Sequence, residues 1–160
     1  MRTFEKISFE QFKKDVSDDE ELYRAYNVPK RSTMNSAGYD YESLIAFTLS
    51  PGEIKKIPTG IKAQMNDGEV LLNVVRSSMG FKYNVRMCNQ VGVIDKDYYN
   101  NPDNEGHIWV RLENHGDKDY VVNVGDKICQ GIFMNFLTVD DDNEIKNTRT
   151  GGLGSTDRRD

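Results

Sequence analysis

His107-Ile108-Trp109-Val110-Arg111-Leu112 alternates strictly, so a strand here places Ile108, Val110 and Leu112 on one face and His107, Trp109 and Arg111 on the other. A period of two marks a half-buried strand whose aliphatic face meets a core. Outward from it, Glu69-Val70-Leu71-Leu72-Asn73-Val74-Val75 and Tyr120-Val121-Val122-Asn123-Val124 are further short runs of the same texture. They are divided by turn signals at Pro51-Gly52, Asn66-Asp67-Gly68, His115-Gly116-Asp117 and Gly125-Asp126. No helical period intervenes. Many short strands at this spacing predict an all-β sandwich, barrel or jelly roll.

Both ends of the chain read differently. Phe4-Glu5-Lys6-Ile7 suits a short strand, and Ser8 followed three residues later by Gln11 resembles a capping box opening a helix through Phe12 and Val16. Asp18-Asp19-Glu20-Glu21 opens a second short helix to Tyr26, its acidic end matched to the helix dipole. The expected division is an N-terminal helical appendage over 1–28, a β domain over 29–139, and a linker with a flexible, glycine-rich C-terminal arm over 140–160.

With 160 residues, 37% hydrophobic and 29% charged, the chain suits one folded domain with a real core. It has no run of ~18 apolar residues to span a membrane and no secretory signal, so a cytoplasmic location is expected. Cys88 and Cys129, both inside apolar-alternating segments, read as buried, reduced thiols. The net charge of −5 argues against a general nucleic-acid surface. An acidic protein that binds a polyanion must gather its cations locally.

Five segments stand out, each with a plain alternative. Ala37-Gly38-Tyr39-Asp40 could be a turn before a strand. Arg76-Ser77-Ser78-Met79-Gly80 ends an apolar strand with guanidinium, hydroxyl and backbone donors suited to phosphate, or is an ordinary strand end. In Asn89-Gln90-Val91-Gly92-Val93-Ile94-Asp95, polar Asn89 and Asp95 bracket an apolar hairpin whose Gly92 allows close backbone approach to a ligand. Gly125-Asp126-Lys127-Ile128-Cys129-Gln130 could be a hairpin turn. Gly151-Gly152-Leu153-Gly154-Ser155-Thr156 could cradle phosphate, although no Walker-type Gly-Lys-Ser/Thr sequence is present. His107 and His115 have no matching ligand set for zinc, whereas carboxylates with phosphate oxygens suit a hard ion such as Mg2+.

In their order and spacing these segments resemble the trimeric dUTPase family, bacterial or bacteriophage type, over about residues 28–156. Val28-Pro29-Lys30-Arg31-Ser32-Thr33 with Ser36 to Asp40 is similar to its first motif and Arg76-Ser77-Ser78 to its second. Gly92-Val93-Ile94-Asp95 with Tyr98 is similar to the third, Gly125 to Gln130 to the fourth, and Gly151 to Thr156 to the fifth. The resemblance implies a jelly-roll protomer in a homotrimer that hydrolyses dUTP to dUMP and pyrophosphate, keeping uracil out of DNA and supplying dUMP. It implies that the Gly92–Ile94 hairpin and Asn89 pair with uracil, and that Tyr98 packs under the deoxyribose, leaving no room for a 2′-hydroxyl. It implies that Asp95 activates the attacking water, that Arg76, Ser77, Ser78 and Gln130 contact phosphate, and that Asp40 lies on the metal side with Mg2+. Arg149, Gly152, Leu153, Gly154 and Ser155 would close over the nucleotide, typically from a neighbouring subunit.

The chain departs from the family pattern in four places. Residues 99–105 are inserted between Tyr98 and Gly106; Arg149 stands two residues before Gly151 rather than three; Leu153 replaces an aromatic; Asp157 replaces a final glycine. Trp109 is a candidate for the missing aromatic cap on uracil, with packing against another subunit as its alternative. Two other functions fit the same motifs. One is a dCTP deaminase-like enzyme, since those share the fold; the other is a nucleotide-responsive regulatory or binding protein using 1–28 and 99–105 as surfaces for a partner.

Overall fold

A computed structural model of the chain describes residues 1–142 and 151–152. Strand β1 (Thr3–Lys6) and helices α1 (Phe9–Asp15) and α2 (Glu20–Ala25) come first. Strands β2 (Tyr39–Glu42), β3 (Phe47–Leu49), β4 (Ile54–Pro58), β5 (Ile61–Gln64) and β6 (Glu69–Val74) lead to helix α3 (Ser77–Tyr83). Strands β7 (Val85–Met87), β8 (Gly92–Ile94), β9 (Trp109–Asn114), β10 (Tyr120–Val122) and β11 (Lys127–Asn135) follow. These strands pair antiparallel in a β2-β11-β6-β8 sheet, a β4-β9-β7 sheet and the pairs β1-β5 and β10-β3. No helix among the described residues is long and apolar enough to cross a membrane.

The alternation on β9 reads out directly: Ile108, Val110 and Leu112 are fully buried, and Arg111 is exposed. With β4 on one edge and β7 on the other, β9 has both backbone edges paired. His107 breaks the pattern. The alternation puts it on the outer face, yet it is fully buried, because the N-terminal segment covers it. Its Nε2 accepts from the Gly60 N–H at 2.9 Å, so the one proton of a neutral ring sits on Nδ1 and is donated to the Asp15 carboxylate at 2.6 Å.

The N-terminal segment is fastened by sheet pairing and aromatic packing. β1 extends β5, with Phe4 opposite Ala63. Phe12, fully buried, stacks on Tyr26 and meets Tyr23 edge-on, and the Tyr26 hydroxyl donates to Gly60 O at 2.8 Å. Ser8 Oγ accepts from Gln11 N at 3.1 Å, as the capping box requires, but the reciprocal half is missing. The Gln11 amide turns instead to Asp15, and the Ser8 N–H is taken by Glu105 at 2.9 Å.

Three further expectations are corrected. Arg76-Ser77-Ser78 follows the end of β6 as expected but opens a helix: Arg76 keeps extended backbone and caps α3, which stops at Asn84 in left-handed geometry (φ 53). Seven residues span too little chain for a helical period to register. The Asn89 segment is not a hairpin of paired strands, since β7 pairs with β9 and β8 with β6, so the turn between them steps from one sheet to the other. Cys129 is buried on β11, but Cys88 is exposed because it lies in that turn, just beyond the last buried residue of β7; both are free thiols.

Burial pushes the His107 imidazole below its ordinary value of 6.5, outweighing the pull of Asp15. The unfolded chain therefore takes up a proton that the folded chain refuses, and stability is lost as the pH falls below 6.5 toward the lower folded value. Thermal melts should show a drop in midpoint over that window that is shallower in His107→Gln. An equal pH dependence in the two proteins would contradict this.

Candidate active site

A short 3₁₀ turn over Lys96–Tyr98 organises the main site. Three residues per turn bring Asp95 and Tyr98 onto one side, and both line a cleft of about 790 Å3. Asn89, Gly92 and Ile94 line the same cleft, delivered by the step between sheets and by β8. Gly92 lies opposite Asn73 on β6, where a Cβ would come within 3.3 Å of the Asn73 Cβ, so the cleft wall is backbone at this point. Tyr98 is buried but for its cleft-facing part, with its hydroxyl donating to His107 O at 2.8 Å. Gly152, from the glycine-rich tail, also lines the cleft.

Arg76, Ser77, Ser78 and Gln130 do not line this cleft. They belong to a second group built across adjacent strands of the largest sheet, where Gln130 on β11 faces Asp40 on β2 and Val74 on β6. Asp40, nearly buried, receives Arg76 Nε at 3.0 Å, Lys127 Nζ at 2.9 Å and the Ser32 hydroxyl at 2.6 Å. Burial alone would raise its pKa, but hydrogen bonds from Ser32 and Lys127 and the charges of Arg76 and Lys127 outweigh this and hold the carboxyl below its ordinary range. Asp40 thus fixes two partly exposed cations, and Lys127 also donates to the Ser32 hydroxyl at 2.7 Å. Gly38 makes room for this group, since a Cβ there would lie 2.1 Å from the Gln130 side-chain oxygen. Ser77 and Ser78 sit exposed at the start of α3.

Arg149, Leu153, Gly154 and Ser155 lie outside the described residues. Among the described residues no cluster of three or more His, Cys, Asp or Glu side chains could hold a metal ion. Asp40 has both oxygens committed to cations and a hydroxyl, so the donor set does not fit a protein cage for Mg2+. The sequence reading missed Lys127 as a partner of Asp40, although its place three residues before Gln130 on one strand was visible. It also missed Lys56 and Arg111 as cleft residues; Arg111 follows from the alternation that exposes it.

The family profile described as dUTPase matches residues 24–157. A relative named deoxyuridine 5′-triphosphate nucleotidohydrolase from Lactococcus lactis is 54% identical over 131 residues, covering 81% of this chain and 87% of its own. The chain belongs to the dUTPase family. A Shewanella woodyi dUTPase is 34% identical, covering 85% of this chain and 90% of its own. The crystal structure of dUTPase from Streptococcus mutans superposes with a TM-score of 0.69 at 44% identity, covering 86% of this chain and 98% of that one. The dUTPase of phage phi11 of S. aureus, described with a structural Mg(II) ion, shares the fold with a TM-score of 0.65 at 20% identity over 88% of this chain and 94% of its own.

Within this dUTPase fold the lone tryptophan becomes a reporter. Trp109 lines the cleft, with the Lys56 ammonium 4.1 Å from its ring centroid and the His107 ring 4.7 Å away. Lys56 occupies one position over the ring where a base could stack. A nucleotide entering the cleft should displace Lys56 or alter its field, giving a saturable change in Trp109 fluorescence. Unchanged emission at saturation would place the nucleotide elsewhere.

Proposed function

We propose that the chain hydrolyses dUTP to dUMP and pyrophosphate as a homotrimer, each site joining the Asp95–Tyr98 cleft of one chain to the Arg76 cluster of another. The observation that carries this reading is the 3₁₀ turn that sets a carboxylate and an aromatic ring side by side in a nucleotide-sized cleft. Asp95 accepts the proton of a water that attacks the alpha phosphorus, and pyrophosphate leaves in line. The backbone of Gly92 and Ile94 with the Asn89 amide reads the uracil edge, and the Tyr98 ring packs against the deoxyribose. Arg76, oriented by Asp40, meets the negative charge on the phosphates together with Lys127, Ser77, Ser78 and Gln130. Arg149 and the tail residues Gly152, Leu153, Gly154 and Ser155 complete the cover. Mg2+ would be carried on triphosphate oxygens, where it neutralises charge.

The trimer is supported by the separation of the two residue groups and by apolar surface that one chain leaves uncovered, including Phe81, Val121, Val124 and Leu137. The two free thiols suit a reducing, cytoplasmic setting.

Asp95→Asn should fold, bind dUTP and lose ~10²–10⁴-fold in turnover, measured as pyrophosphate release. Arg76→Ala should be similarly impaired. If sites are shared between chains, unfolding and refolding the two variants together restores about a quarter of the sites, since each site then draws one intact residue from each neighbour. No recovery on mixing would contradict sharing, and near-normal turnover in Asp95→Asn would remove Asp95 from the chemistry.

A further inference from the structure

Residues 99–105, inserted in the family pattern, are built into the site rather than draped over it. The Tyr98 hydroxyl is held from two sides: it donates to His107 O at 2.8 Å and accepts from Asn104 Nδ2 at 2.9 Å. Asn104 is itself fixed, because its Oδ1 accepts from Gly106 N at 3.1 Å and from Asn101 Nδ2 at 2.9 Å. Asn101 is buried, donates to Tyr98 O at 2.8 Å, and accepts the N–H groups of Asp103 and Asn104 at 3.0 and 3.1 Å. Donors and acceptors on both carboxamides are used, so neither side chain has another orientation of equal energy.

The loop cannot relax away from the tyrosine. Gly106 closes it at φ +81, and a Cβ there would lie 2.5 Å from Tyr98 O. On its outer side the Glu105 carboxylate accepts both the N–H and the hydroxyl of Ser8, and Tyr99 donates to Glu5 at 2.9 Å. The N-terminal segment therefore backs the loop, and the loop backs Tyr98.

We propose that this loop is a clamp that sets the sugar selectivity of the site, with Asn104 as a positioning residue acting through the Tyr98 hydroxyl. The inference rests on the activity proposed above, in which the Tyr98 ring excludes a 2′-hydroxyl. That exclusion is steric, and a ring free to tilt about its side-chain torsions would yield to one extra oxygen. A ring pinned at its far end by two hydrogen bonds does not. The main-chain part of the turn holds only the near end of the side chain, so the selectivity of this chain depends on a residue outside the family motifs.

The test is a double-mutant cycle on Asn104→Leu and Tyr98→Phe, reading kcat/KM for dUTP over kcat/KM for UTP. Asn104→Leu should lower that ratio roughly three- to tenfold, the range one buried hydrogen bond supports, and Tyr98→Phe, which loses both bonds of the hydroxyl, at least as much. In Asn104→Leu the gain should lie in UTP use, with dUTP turnover at saturation little changed. The double variant should be no worse than Tyr98→Phe alone, because both remove the same contact. Asn104→Ser, too short to reach the hydroxyl, should repeat the result if the leucine variant does not fold. Losses that add in the double variant, or equal losses for both nucleotides, would overturn the clamp and leave Asn104 a merely structural residue. Wild-type protein that leaves dUTP intact would contradict the activity instead. The clamp is then read from the dUMP-over-UMP affinity ratio across the same variants, where an unchanged ratio overturns it.

Discussion

The hydrogen bond from the Tyr98 hydroxyl to the His107 carbonyl, 2.8 Å long and buried, is where the cleft meets its scaffold. On one side of it stands the 3₁₀ turn that pairs Tyr98 with Asp95. On the other, the His107 ring ties β9 to Gly60 and to Asp15 of α1. A buried hydrogen bond of this kind contributes only about 1 kcal/mol net, but leaving its partners unmade costs more. The N-terminal segment, the core strand and the aromatic wall of the cleft are consequently held in one register. Preorganisation of the site begins in residues that never approach a nucleotide.

The second constraint is charge. A protein of net charge −5 that accepts a triphosphate needs cations at one place, and here a carboxylate collects them. Asp40 draws Arg76 and Lys127 to the edge of the largest sheet and fixes their direction. Left unpaired, two cations so close would repel one another and spend their donors on water. Within one chain this cluster does not line the Asp95 cleft, and the proposed trimer would bring a neighbouring chain's cluster to it. A β-rich protomer with exposed valines, phenylalanines and leucines has surface to bury in doing so.

Much of this was legible in the residues. Strict alternation from His107 to Leu112 marked the core face of β9, and the glycine-bearing segment bracketed by Asn89 and Asp95 does line the cleft, whereas Tyr98 was placed there only by the family resemblance. His107 was misjudged because alternation reports a strand's two faces, not what later covers them; its cover comes from a helix 92 residues away in sequence. Helix α3 was invisible because a single capped turn or two leaves no period, while Arg76 and two serines read equally well as a strand end. Lys56 over Trp109 is a cross-strand contact between β4 and β9, which no local pattern encodes. The role of Asn101 and Asn104 was hidden for a related reason. An asparagine-rich stretch with Pro102 and Asp103 reads as a solvent loop, and only its closure on Tyr98 shows that its polar atoms are used internally.

In the proposed reaction, water positioned by Asp95 attacks the alpha phosphorus of dUTP. Turnover in ¹⁸O-labelled water, followed by mass spectrometry of both products, tests it most directly. Attack at the alpha phosphorus puts one labelled oxygen in dUMP and none in pyrophosphate. Label appearing in pyrophosphate would move the attack to the beta phosphorus, and ammonia released from dCTP in place of dUTP cleavage would assign the cleft to deamination.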